Sequence, residues 1–77
     1  MKDLMRYIAQ ALVDYPEQVN VNEVVGDRTV VLELTVAKGD IGKLIGKGGR
    51  TAQALRTIVT AASGKAGKRY VLEIIDR

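Results

Sequence analysis

Between positions 2 and 15 the apolar residues fall at 4, 5, 8, 11, 12 and 15, a helical stripe that leaves Asp3 and Arg6 to the water. Pro16 closes this helix, because the residue before a proline is pushed out of helical geometry. The rhythm then changes. "VNVNEVV" alternates at its start, and "TVVLELTVA" sets Val30, Leu32, Leu34 and Val36 against Thr29, Val31, Glu33 and Thr35. "GDR" between them supplies a turn, so the pair reads as an antiparallel hairpin. Next, "KGDIGKLIG" offers Asp40 as N-cap of a short helix that runs through Ile45, where a glycine cluster interrupts it. A longer helix follows to about Ser63, burying Ala52, Leu55, Ile58, Val59 and Ala62 and ending at Gly64 in the C-terminal glycine role. "GKAGK" is a loop, and "RYVLEII" is a last strand with Tyr70, Leu72 and Ile74 on one face.

The order is helix, strand, strand, short helix, helix, strand. Each helix has one apolar stripe and each strand one apolar face, so a three-stranded sheet covered on one side by helices satisfies them all. A chain of 77 residues, 47% of them hydrophobic, is expected to form one domain over residues 1–77. Cysteine and histidine are both absent. That removes disulfides, thiolate metal sites and the commonest general base and zinc ligand, so no metal or cofactor is expected. No apolar run approaches the roughly 18 residues of a membrane span. The charged, periodic start "MKDLMRYIAQ" is unlike a signal peptide, and a cytoplasmic protein without membrane contact is expected.

The net charge is only +3, but its distribution is uneven. From Lys38 to Arg69 there are eight Lys or Arg against the single acid Asp40, a balance of +7; the rest of the chain carries four bases and eight acids, a balance of −4. Such asymmetry suits either a polyanion partner or a solvated charged face.

The chemistry concentrates in "LIGKGGRT", residues 44–51. A nucleotide P-loop needs four residues between its first glycine and Gly-Lys, whereas three separate Gly42 from Gly46-Lys47, and Gly48 stands where the Mg²⁺-binding hydroxyl belongs. The dinucleotide fingerprint also fails, since Gly46-Lys47-Gly48-Gly49 runs on into Arg50 and Thr51 and the turn joins two helices. A Gly-x-x-Gly turn between helices remains. Glycines without Cβ atoms let a phosphodiester approach the main chain, and the amides opening the next helix carry partial positive charge. Lys47 and Arg50 add mobile cations, and no residue there can act as nucleophile or base.

"IGKGG" followed by a helix with Ala52 and Leu55 inward, set in this element order, resembles the KH-domain family in its type II (α-β-β-α-α-β) arrangement, an α+β fold. The resemblance covers nearly the whole chain and is similar in length to the small stand-alone bacterial members. It implies a non-enzymatic RNA-binding module acting as an RNA chaperone or post-transcriptional regulator. It also implies that Gly46, Lys47, Gly48 and Gly49 clamp the backbone of about four single-stranded nucleotides. Ile41, Leu44 and Ile45 on the short helix, with Val36 near a strand end, are then the candidates for an apolar base groove. Many KH domains carry a large aliphatic residue where this chain has Ala52, a departure that bears on core packing and groove depth.

Around this site, Arg50 reads as a phosphate contact, while Lys43 and Arg56 either touch phosphate or are simply solvated. Gly42 reads as a close-packing residue and Ile45 as serving the core more than bases. Lys65, Lys68 and Arg69 offer charge steering at most. Tyr7, Tyr15 and Tyr70 fall on core faces, which argues against an aromatic stacking platform. Val31, Val71 and Ile75 lie on the wet face of the sheet, and the alanine-rich flank of "TAQALRTIVTAAS" suits a second copy. The resemblance points the same way, to a homodimer and to pairing with a larger KH-containing protein. A module whose main task is such recruitment, with RNA contact secondary, is the alternative reading.

Overall fold

The alternation in "TVVLELT" organises the molecule, because one face of that strand takes Val30, Leu32 and Leu34 wholly out of water. In the computed structural model, which describes residues 1–65 and 67–76, the elements are α1 (Lys2–Leu12), β1 (Asn20–Val25), β2 (Thr29–Thr35), α2 (Ile41–Ile45), α3 (Arg50–Ser63) and β3 (Arg69–Ile74). Position 66 of the "GKAGK" loop lies outside the described residues. The sheet order is β1-β2-β3. β1 pairs antiparallel with β2 as the hairpin reading expects, from Asn20 opposite Thr35 to Val25 opposite Val30. β3 pairs parallel with β2, from Thr29–Arg69 to Leu34–Ile74. A parallel neighbour demands a crossover, and α2 and α3 supply it, so α3 runs back across the strands. Met5 and Ala9 of α1, Leu44 of α2, and Leu55 and Val59 of α3 meet Val21, Val30, Leu32, Leu34 and Leu72 in one core. Each fully buried Leu, Val or Met contributes about 1.5–3 kcal/mol. This is an α+β fold of the type II KH order, its helices on one face of the sheet.

The structure corrects four local expectations. α1 stops at Leu12 rather than Tyr15, because Val13 is extended (φ −104°, ψ 163°) and the next two amides are drawn elsewhere, as shown below. Its buried residues are Met5 and Ala9, so Tyr7 is 73% exposed and Tyr15 is exposed too. The apolar arc of α1 is wider than the sheet can cover, and Tyr7 falls on the uncovered part, while Tyr15 lies beyond the helix. Tyr70 is half-buried against the core, as expected. In α3, Ala52, Leu55 and Val59 are buried but Ile58 is 39% exposed. Gly64 keeps right-handed geometry (φ −59°), and Gly67 takes the left-handed one (φ 73°) in the turn into β3.

Candidate nucleic-acid interface

The backbone of the turn explains its glycines. Gly46, Gly48 and Gly49 have φ of 74°, 66° and 77°, a region that costs L-residues roughly 1–2 kcal/mol each. At Gly46 a Cβ would also collide with the Thr51 side chain and approach the Thr51 nitrogen to 3.0 Å. At Gly48 and Gly49 a Cβ would meet nothing within 4 Å. Gly46 is therefore the folded-in hinge, while the last two glycines present bare backbone to open space. The amides divide in the same way. Gly46 N–H donates to Gly42 O (2.9 Å), Gly49 N–H to Gly46 O (3.2 Å) and Arg50 N–H to Lys47 O. The amides of Lys47 and Gly48 have no backbone partner among the described residues. Two free amides under an exposed lysine are a seat for an oxyanion.

The short helix before the loop divides its side chains sharply. Leu44 is 0% exposed and belongs to the core, so it is removed from any base contact. Ile45, read as a core residue first, is 42% exposed and stands one turn from half-buried Ile41, giving an apolar step beside the loop. Val36 is partly buried against the core just beyond β2. Gly42 is not required for packing: a Cβ there would touch nothing within 4 Å.

Lys43 is not a free cation. Its Nζ lies 3.1 Å from Asp14 Oδ2 and 3.5 Å from Asp40 Oδ1, and these partners, Asp14 first, raise its pKa above the usual lysine value. Asp40 itself is 1% exposed, the one buried charged residue among the described residues. Its carboxylate makes no cap bond to α2, because its backbone is already near-helical (φ −98°, ψ −8°). It reaches across instead and accepts from the amides of Asp14 (3.3 Å) and Tyr15 (3.0 Å). That capture ends α1 early. Lys47 and Arg50 are both exposed and form no ion pair among the described residues. Lys68 is spent on the hairpin turn, donating to Gly26 O (3.3 Å).

A groove of about 250 Å³ lies between α3 and β3, lined by Arg56, Thr60, Ser63, Arg69, Tyr70, Val71 and Leu72. The sequence placed the base groove beside α2 and Val36; this one lies on the other side of the crossover. In the sequence Arg56 reads as either a phosphate contact or a solvated charge and Arg69 as a steering charge, while Thr60 and Ser63 carry no signal. One clue was legible. Arg50, Gln53, Arg56, Thr60 and Ser63 recur every three or four residues, so one acid-free polar face of α3 leads from the loop to the groove. A larger cavity, about 350 Å³, opens at Asn20, Asn22, Glu33, Thr35 and Ile75 on the sheet, and its only charge is acidic. It does not suit a polyanion. Among the described residues, no group of three or more carboxylates could hold a metal ion, and no helix is long and apolar enough to cross a membrane.

Known proteins align with this arrangement almost end to end. A family model described as KhpA/KhpB, KH domain, matches residues 2–74. The RNA-binding protein KhpA of Clostridium perfringens is 55% identical over 75 residues, covering 97% of this chain and 100% of its own. The RNA-binding protein KhpA of Aquifex aeolicus is 51% identical over 76 residues (99% and 96%). That of Chlamydia trachomatis is 49% identical over 76 residues (99% and 97%). No solved structure matches the chain with significance.

Proposed function

The chain belongs to the KhpA/KhpB KH-domain family, and from that premise we propose that it is a single, non-catalytic RNA-binding domain that grips single-stranded RNA by its backbone. The observation that carries the reading is the turn at Gly46–Gly49. Its last two glycines face open space, and among the described residues two of its amides have no backbone partner and Lys47 has no ion pair. A phosphate fits such a seat without any reacting group, and the relatives bear the name of RNA-binding proteins. Arg50 receives the next phosphate, Ile41 and Ile45 receive apolar edges of bases beside the loop, and the α3–β3 groove receives the strand beyond it. Backbone contact of this kind gives weak, sequence-tolerant binding, as an RNA chaperone or post-transcriptional regulator in the cytoplasm requires.

The test is fluorescence anisotropy with short labelled RNA across a salt series, comparing the native chain with Lys47→Asp combined with Gly48→Asp. The double variant is expected to lose at least about tenfold in affinity and to show a shallower salt dependence, with its fold intact. Equal binding by the two proteins would sink the reading.

A specific surface favours a second, compatible role. Ala54, Ile58 and Ala61 are all exposed at helical spacing on α3 and form a smooth apolar stripe. Such a stripe fits a homodimer, or pairing with the larger KH-containing protein KhpB, and two joined clamps hold RNA more tightly than one through effective concentration. Ile58→Asp is expected to yield monomers in analytical ultracentrifugation, whereas the Lys47/Gly48 double variant keeps the native oligomeric state.

A further inference from the structure

A five-residue helix cannot hold its own direction, since isolated helices of that length are unstable in water. Yet the RNA grip hangs from the end of α2. Two side chains fix it, Asp40 and Leu44, one helical turn apart and both withdrawn from solvent. Leu44 is an apolar peg in the core and allows rotation about itself. Asp40 is directional: its two oxygens take the amides of Asp14 and Tyr15, the residues through which the chain leaves α1. Lys43 closes the arrangement from outside by bridging Asp40 and Asp14.

We infer that Asp40 is a positioning residue for the RNA clamp, its buried carboxylate clasping the Asp14 and Tyr15 amides so that α2 presents the Gly46–Gly49 turn in its gripping orientation. The role rests on the RNA-binding reading above. The carboxylate lies six residues from the turn and is 1% exposed, so it acts on the turn only through the direction it gives α2. What it fixes is the one element of the crossover that has a single side chain in the apolar core. Reciprocity follows: if the clasp favours the gripping orientation, bound RNA must favour the clasp.

Two measurements decide the matter. Asp40→Asn keeps the shape but turns an amide donor toward a backbone N–H, so the clasp opens. At a temperature where circular dichroism shows it folded, the variant is expected to bind labelled single-stranded RNA at least about fivefold more weakly than the native chain. The slope of affinity against salt is expected not to flatten, because no phosphate-contacting cation is lost. In the native protein, hydrogen exchange at the Asp14 and Tyr15 amides is expected to slow when RNA binds, which also serves if the variant does not fold. A folded variant of native affinity, or exchange at these amides that RNA leaves untouched, overturns the positioning role alone. A native chain that binds no RNA removes the functional reading, and the positioning role with it.

Discussion

Lys43 and Lys47 lie four residues apart, on either side of Gly46, and carry the same charge. The first is held by Asp14 and Asp40 at 3.1 and 3.5 Å; the second has no ion partner among the described residues. Nothing in the sequence marks Lys43 as already paired, because Asp14 is remote along the chain and Asp40 reads as a helix cap. The difference lies in what each charge neutralises. Lys43 answers carboxylates that fasten α2 to the exit of α1, so its charge is used inside the fold. Lys47 is exposed in a turn where Gly48 and Gly49 have open Cβ space and, among the described residues, the Lys47 and Gly48 amides have no backbone partner, so its charge is left for a partner. A basic segment of +7 therefore overstates the cations facing an RNA strand, and each charge has to be followed to its nearest acid.

The most severe way to erase the difference is to disrupt the glycine between them. Gly46→Ala meets both a left-handed backbone and the Thr51 side chain, and is expected to cost about 3 kcal/mol in chemical denaturation. Gly48→Ala, with the same hand of φ but open space, is expected to cost only about 1 kcal/mol. The direct contrast is next in size. Lys47→Ala is expected to weaken RNA binding severalfold and flatten the salt slope by roughly 0.7, the loss of one phosphate contact. Lys43→Ala is expected to leave that slope alone and to lower the thermal midpoint modestly. Similar slopes for the two variants would abolish the distinction. The smallest expected effect sharpens it: Asp14→Asn relaxes the hold on Lys43, so RNA affinity should rise by at most about twofold while the salt dependence steepens slightly.

These assignments also show what the sequence made legible. Element order and the Gly-x-x-Gly turn were readable because both are local. Alternation fixes a strand face, and a run of glycines between two apolar periodicities has few other uses. Ile58 and Tyr7 were misplaced because each helix has a wider apolar arc than one small sheet can cover, and periodicity does not say which part is left over. The early end of α1 and the true work of Asp40 depend on a contact between residues 25 and 26 positions apart, for which no local pattern exists. The α3–β3 groove was hidden for a related reason. It forms only through the parallel pairing of β3 with β2, and parallel pairing leaves no turn signature in the chain.

That parallel pairing also sets a timetable. The Gly46–Gly49 turn lies within the connection from β2 to β3, so the crossover that carries it closes only when β3 docks along the far side of β2. The β1–β2 hairpin closes locally and early, whereas the crossover must bring residues some forty positions apart into register. A chain still emerging from the ribosome therefore carries its lysines and glycines before the crossover that presents them is complete. Only the arrival of residues 69–74 closes the crossover, and with it the proposed clamp. Pulse-labelled exchange during refolding is expected to protect the hairpin amides before those of α3.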